Sequence, residues 1–248
     1  MKPRALLCLA LWLVVVGHAG AQTPTAPPEL RPMLPPGPIL ATTPDLAAWT
    51  IVLQTTPGLP GQSAEAVVRG AAASVASDSV ISVTKTGQVR HWSRRLKGGQ
   101  QEDVWYEQGN RITTQTGWKI PMFEAAAAPA GQPRGPDFPE LTWIAAKNFV
   151  GTQHHQDTDY FVFEAQLASQ DHGAMAGEEG RPLTALNRAY VNAETRLPWL
   201  LQTGDVLHRY VFQAPPTVPL EVPPEVQAMF DTFERNKKAE SSRKPVAP

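Results

Sequence analysis

The side chains best suited to metal or acid–base chemistry lie in one short stretch and the loop that follows it. His154 and His155 are followed by Asp157 and Asp159, and His172 lies in the next loop. Imidazole nitrogens and carboxylate oxygens are common ligands for zinc and other divalent ions. A metal-dependent hydrolase that uses His154, His155 and His172 is therefore one hypothesis.

The spacing of these residues does not favour a shared ion. Adjacent residues on a strand point to opposite faces, so His154 and His155 converge only if the turn rotates one of them. The sequence contains no HExxH pattern. A solvated hairpin tip explains the same residues, because aspartate is common in turns. We predict no metal site and no cofactor.

Other signatures of catalysis are missing from the sequence. It has no GxSxG nucleophile motif and no glycine-rich phosphate loop. Glu178 and Glu179 are adjacent, but a glycine-rich loop does not hold carboxylates with the precision that acid–base catalysis needs. We therefore predict no catalytic residues and a protein that is not an enzyme.

A basic stretch surrounds Trp92. On a strand, Arg90, Trp92 and Arg94 share one face, where an anionic partner such as a lipid headgroup would dock. The alternative, a charged outer face of a sheet, is the simpler interpretation. The whole chain has 22 basic and 23 acidic side chains, which argues against a nucleic-acid partner.

The N-terminus has the pattern of a secretory signal peptide. Lys2 and Arg4 precede an apolar run over 5–16, and small residues lead to a predicted cleavage after Ala21. The run is too short for a comfortable membrane span. Cleavage removes Cys8, the single cysteine, so no disulfide is expected. We predict a periplasmic or secreted protein without an integral membrane span after signal removal.

Alternating apolar and polar residues predict a mainly antiparallel β protein. Strands are expected at 49–54, four more within 79–116, two around the histidine turn, and three within 187–214. Residues 63–76 are either a short helix or a loop. About ten strands that follow one another in sequence do not stay flat. The fold class is therefore all-β, a strongly curved sheet that forms a half-barrel or incomplete barrel.

The two ends of the chain do not have the alternating pattern of the predicted strands. Residues 22–44 are proline-rich and are predicted to be a leader or tether. Residues 224–238 form an apolar face with Val226, Met229, Phe230 and Phe233, which predicts one C-terminal helix packed on the sheet. The expected division is a signal peptide (1–21), a leader (22–44), a single β-domain with its helix (45–238) and a disordered tail (239–248).

The C-terminal block resembles the LolA-like superfamily of periplasmic lipoprotein carriers. The resemblance rests on the acidic turn AETRLP at 193–198 and on the hairpin after it, which ends in Tyr210 and Phe212. The signal peptide and the series of neighbouring strands agree with it. In that family an incomplete barrel has helices as a lid, so the resemblance implies that the sheet carries a hydrophobic ligand.

The leading functional hypothesis is a non-enzymatic protein that binds a hydrophobic ligand or a lipidated protein on the concave face of the sheet. A cavity of this kind is lined by apolar and aromatic side chains. The candidate ligand-binding residues are Trp92, Trp105, Trp143, Phe161, Phe163, Trp199, Tyr210 and Phe212. The alternative is a structural or protein-interaction module of the cell envelope with a filled core and no ligand. The sequence does not predict an oligomeric state.

Overall fold

A computed structural model describes residues 32–73, 77–96, 98–107, 110–125, 137–168 and 184–242. The predicted signal peptide, the first part of the leader and the loop that contains His172 lie outside these residues. Within the described residues, no helix has the length and apolar character needed to cross a membrane.

The fold is one open antiparallel sheet, which confirms the predicted all-β class. The eleven strands are β1 (Leu46–Thr55), β2 (Ser79–Thr86), β3 (Val89–Arg95), β4 (Gln101–Glu107), β5 (Asn110–Gln115), β6 (Met122–Ala125), β7 (Phe149–His155), β8 (Thr158–Ala168), β9 (Thr184–Asn192), β10 (Pro198–Thr203) and β11 (Val206–Gln213). Ten of them match predicted strands within a few residues. The four-residue β6 is additional, because its sequence is too short to show a period.

The strand order joins two chain halves in the middle of the sheet. It runs β6-β5-β4-β3-β2-β1-β11-β10-β9-β8-β7, and β6 and β7 are the free edges. Strands β1 to β6 are each paired with the next in sequence, and so are β7 to β11. The two halves meet where β1 pairs with β11, with Ile51 opposite Tyr210.

The two faces of the sheet are covered by different kinds of structure. We call the face with Trp49, Ile51 and Tyr210 the tryptophan face, and the opposite one, with Trp105 and Leu200, the helix face. Away from the register shifts at Val150 and Trp199, the register assigns the strand residues to one face or the other, because side chains alternate along a strand.

Both α-helices pack on the helix face. Helix α1 (Ala64–Ala73) buries Val67 and Val68 against Leu200 of β10, which resolves the helix-or-loop alternative as a helix. Helix α2 (Pro224–Ser242) buries Val226 and Phe230 near Trp105. The apolar spacing of the C-terminal segment thus produces the predicted helix, which continues four residues past its expected end.

Two segments without α-helix or strand pack on the tryptophan face. The first is residues 34–43, which lie within the described part (32–44) of the proline-rich leader, with Leu34 and Leu40 against the sheet. The second is residues 137–148, which includes two 3₁₀ turns (Pro139–Leu141 and Ala146–Asn148) and buries Phe138 and Leu141. We call them together the cover segments. The Arg196 backbone oxygen accepts a hydrogen bond of 2.9 Å from Ala41 and anchors the first of them.

Candidate functional site

The eight predicted ligand residues do not lie on one face. The tryptophan face carries five of them: Trp92, Phe161, Phe163, Tyr210 and Phe212. Trp143 belongs to the second cover segment and packs over the same face. Trp105 and Trp199 pack on the helix face. Trp105 follows Val104, the cross-strand partner of Trp92, so strand alternation turns its ring to the other side.

Four of these eight aromatic side chains are buried, and the other four are half-buried. Phe163 is 0% exposed and Tyr210 is 3% exposed. Phe212 contacts Trp49 with ring centroids 6.0 Å apart, and Phe138 of the cover lies 5.6 Å from Trp49. These residues form a core between the sheet and the cover segments, so a ligand that reaches them must displace part of the cover.

A small cavity lies on the other face, between α1 and the sheet. Its volume is about 10 Å³, which is room for about one water molecule. The lining residues are Val52, Gln54, Ala71, Leu200, Leu207 and Arg209. A cavity of this size does not hold an acyl chain.

The two histidines at the β7–β8 hairpin point to different sides, as predicted. His154 Nδ1 lies 2.8 Å from Asp159 Oδ1, and the His154 side chain is 67% exposed. His155 instead stacks near Trp199, with ring centroids 6.0 Å apart. Among the described residues, no group of three or more His, Cys, Asp or Glu side chains is arranged to hold a metal ion.

A buried ion pair connects both cover segments to the tryptophan face. Lys85 Nζ donates to Asp137 Oδ2, to the Thr43 backbone oxygen and to Thr43 Oγ1, each at 3.0 Å. Asp137 Oδ2 also accepts 2.8 Å hydrogen bonds from the backbone nitrogen and Oγ1 of Thr43. The Lys85 and Asp137 side chains are 6% and 8% exposed. We call this group the Lys85 latch, since it ties one residue from each cover segment to β2.

A second polar contact lies under the cover. Tyr210 donates a 2.5 Å hydrogen bond to Glu140 Oε1, while Glu140 Oε2 is buried without a hydrogen-bond partner. Burial raises the pKa of Glu140, and the hydrogen bond from Tyr210 and the charge of Arg90 act in the opposite direction. The cover thus places a carboxyl group close to Arg90 of β3.

Six residues on three adjacent strands form a mostly polar and partly buried group next to the latch. They occupy two cross-strand rows of the tryptophan face: Arg90, Tyr106 and Arg111, and beside them Trp92, Val104 and Thr113. We call these six the β3–β5 patch. Arg90 is only 5% exposed, so the expectation of a charged outer face is wrong there. Its guanidinium lies 5.0 Å from the centroid of the Tyr106 ring.

Several polar atoms in and near the patch are buried without a hydrogen-bond partner. Within the patch they are Trp92 Nε1, Arg111 Nε and Thr113 Oγ1, and nearby they are Trp49 Nε1, Trp143 Nε1 and Glu140 Oε2. Nearly all buried polar groups in folded proteins are paired, so each exception needs an explanation. The patch thus has unused hydrogen-bonding capacity in the protein interior.

The burial of His208 on the tryptophan face predicts that the protein becomes less stable in acid. It lies on β11 opposite Leu53 and Leu201, and burial lowers its pKa from 6.5 to about 4. As the pH falls, His208 therefore binds a proton at a higher pH in the unfolded chain than in the folded protein. The free energy of unfolding should fall as the pH drops from about 6.5 to about 4, and it should level off below pH 4. The full shift corresponds to about 3 kcal/mol.

The check is urea unfolding of the wild type and of His208→Leu across this pH range. We expect His208→Leu to flatten the dependence, while His154→Leu, at an exposed position, keeps the wild-type slope. Equal slopes for wild type and His208→Leu would contradict the assignment.

No family model matches the sequence, and no curated protein matches it.

Proposed function

We propose that the protein is an exported, non-enzymatic binding protein that holds a hydrophobic ligand or the lipid of a lipidated partner on the tryptophan face. The signal-peptide pattern at residues 1–21 supports export. The resemblance to LolA-like carriers in the 193–212 region supports a carrier role. The candidate ligand residues are those of the tryptophan face, Trp92, Phe161, Phe163, Tyr210 and Phe212, with Trp143 of the cover.

One structural observation carries this proposal. The tryptophan face is covered by segments without α-helix or strand, whereas the helix face is covered by α1 and α2. Segments with few internal hydrogen bonds open at lower free energy than helices or sheet strands. An apolar ligand therefore displaces the cover segments from the aromatic face more easily than it displaces the helices from the opposite face.

The proposal is tested by native mass spectrometry and hydrogen exchange on the mature protein. Incubation with dodecyl maltoside, an amphiphile without charge, should give a one-to-one complex. Binding should change amide exchange in residues 34–43 and 137–148 and in β1 and β11. An unchanged mass would contradict the proposal, and so would exchange effects confined to α1 and α2.

The second candidate is the structural or protein-interaction module with a filled core. It is favoured by the packing of Trp49 against Phe138 and by exposed apolar residues near the β6 edge, where Ile120 is 80% and Trp118 is 45% exposed. Edge strands with apolar neighbours are common sites of pairing with another chain. This candidate predicts a ligand-free mass that does not change after incubation with amphiphiles.

A further inference from the structure

We infer that the β3–β5 patch binds an anionic, acceptor-rich group, a carboxylate or a phosphate, and that this group is the polar head of the ligand. The inference deepens the proposed function, because the apolar part of such a ligand rests on the proposed site. The anion site itself depends on separate observations, which concern the donors, the charges and the position of the patch.

The unpaired atoms of the patch are almost all donors. An indole nitrogen and a guanidinium Nε only donate, so Trp92 Nε1 and Arg111 Nε both lack an acceptor. The Thr113 hydroxyl can also donate, and this residue is 1% exposed. A buried donor without a partner is costly. The missing partner is therefore a group with several acceptor oxygens, as in a carboxylate or a phosphate.

The charges of the patch favour an ionised group. Arg90 and Arg111 lie on either side of Tyr106 in one cross-strand row. Lys85 continues the row on β2, but its charge is already paired with Asp137, and Arg111 shares its charge with Glu124, so the arginines carry the attraction. Arginine binds carboxylate and phosphate with good geometry, and such hydrogen bonds are stronger than those between neutral groups.

The three unpaired donors lie on two strands of one face, separated only by β4. Trp92 and Thr113 are two strands apart, about 10 Å between backbones, and their side chains project from the same face. Arg111 lies two residues before Thr113 on β5, about 7 Å away. A ligand that reaches all three donors must therefore bridge β4 from β3 to β5.

The patch opens toward solvent on one side and toward the aromatic core on the other. The Arg111 side chain is 35% exposed and its partner Glu124 is 48% exposed, so an anion can enter at β5 and β6. In the other direction, Trp92 pairs across Val83 with Trp49. A ligand with its head at Arg111 would therefore extend its apolar chain past Trp92 toward Trp49, under the cover segments.

Arg94 provides a matched control for Arg111. Both lie on the tryptophan face, their side chains are 36% and 35% exposed, and each pairs with a glutamate. They differ in the hydrogen bonding of Nε: Arg94 Nε donates to Glu102 Oε2 at 3.2 Å, whereas Arg111 Nε has no hydrogen-bond partner. Arg111→Gln and Arg94→Gln thus remove equal charge but unequal donor capacity toward a ligand.

The experiment measures binding of dodecyl phosphate, dodecyl maltoside and inorganic phosphate by titration calorimetry to the mature protein. Dodecyl phosphate should bind more tightly than dodecyl maltoside. Arg111→Gln should weaken the binding of dodecyl phosphate about tenfold or more, which is the loss expected for a hydrogen bond to a charged group. Arg94→Gln should change it less than twofold, and neither variant should change dodecyl maltoside binding.

A second variant keeps the test valid if Arg111→Gln does not fold. Thr113→Val has nearly the same shape and removes only an unpaired hydroxyl. It should leave the unfolding midpoint of the ligand-free protein unchanged or raised while weakening dodecyl phosphate binding.

The outcomes separate the anion site from the proposed function. If dodecyl maltoside binds and dodecyl phosphate binds no tighter, or if Arg111→Gln and Arg94→Gln have equal effects, the anion site is refuted and ordered water satisfies the donors. If neither amphiphile binds but inorganic phosphate binds and depends on Arg111, the proposed function is refuted and the anion site stands. If none of the three binds, both are refuted.

Discussion

Replacing Asp137 with alanine is expected to lower the free energy of unfolding by about 3–5 kcal/mol, because it leaves the ammonium of Lys85 buried without its counter-charge. Asp137 is the only carboxylate within hydrogen-bond distance of Lys85 Nζ among the described residues. Its Oδ2 also holds the backbone nitrogen of Thr43. The substitution therefore weakens both cover segments, and urea unfolding at pH 7 measures the loss.

Two controls show whether the loss arises in the latch. The double variant Lys85→Met/Asp137→Ala should be more stable than Asp137→Ala alone, because a buried pair replaced by apolar groups costs less than one unpaired charge. Glu65→Ala breaks an exposed pair with Arg69, whose side chain is 72% exposed, and should cost less than about 1 kcal/mol. If Asp137→Ala were as mild as Glu65→Ala, the latch would not stabilise the cover.

Phe163→Ala is expected to destabilise the protein by about 3–5 kcal/mol, the usual cost of removing a buried phenyl ring. The Phe163 side chain is 0% exposed and its ring lies 5.7 Å from that of Phe149. The sequence marks Phe163 as a ligand residue, whereas its packing makes it first a core residue. Thermal and urea unfolding give the loss.

Val150→Ala is the comparison for this substitution. Val150 lies on the neighbouring strand β7 but is 46% exposed, so its truncation should change the free energy of unfolding by less than about 0.5 kcal/mol. A loss below 1 kcal/mol for Phe163→Ala would mean that the space around its ring collapses or is already loosely packed. That result would make Phe163 a stronger candidate for direct ligand contact.

The strands were predictable because each carries a strong local signal. Alternation in 79–85 and glycine turns after it mark a chain of hairpins. The signal for the latch was also present, since Lys85 shares the face of Ile81 and Val83, an apolar row in which a lysine needs a partner. What the sequence did not show is that this partner is Asp137, 52 residues away.

The candidate site was predicted less well, because it depends on which face each strand turns to its neighbours. Trp92 and Trp105 look equivalent in the sequence, but the register places them on opposite faces. The leader looked like a tether because prolines prevent any period, yet Leu34 and Leu40 contact the core. Such contacts join distant parts of the chain, and neither periodicity nor composition reports them.

The pairing of β1 with β11 has a consequence for the order of folding. Strand β1 pairs with β2 across the connection 56–78, which contains α1, but its other neighbour lies more than 150 residues later. Closing so long a loop has a high entropic cost, and pairings between distant segments slow folding. The two hairpin series can therefore form independently, and the centre of the sheet, with Ile51 beside Tyr210, completes only when β11 has emerged. Until then β1 has one unpaired edge, and the aromatic core beneath the cover stays open.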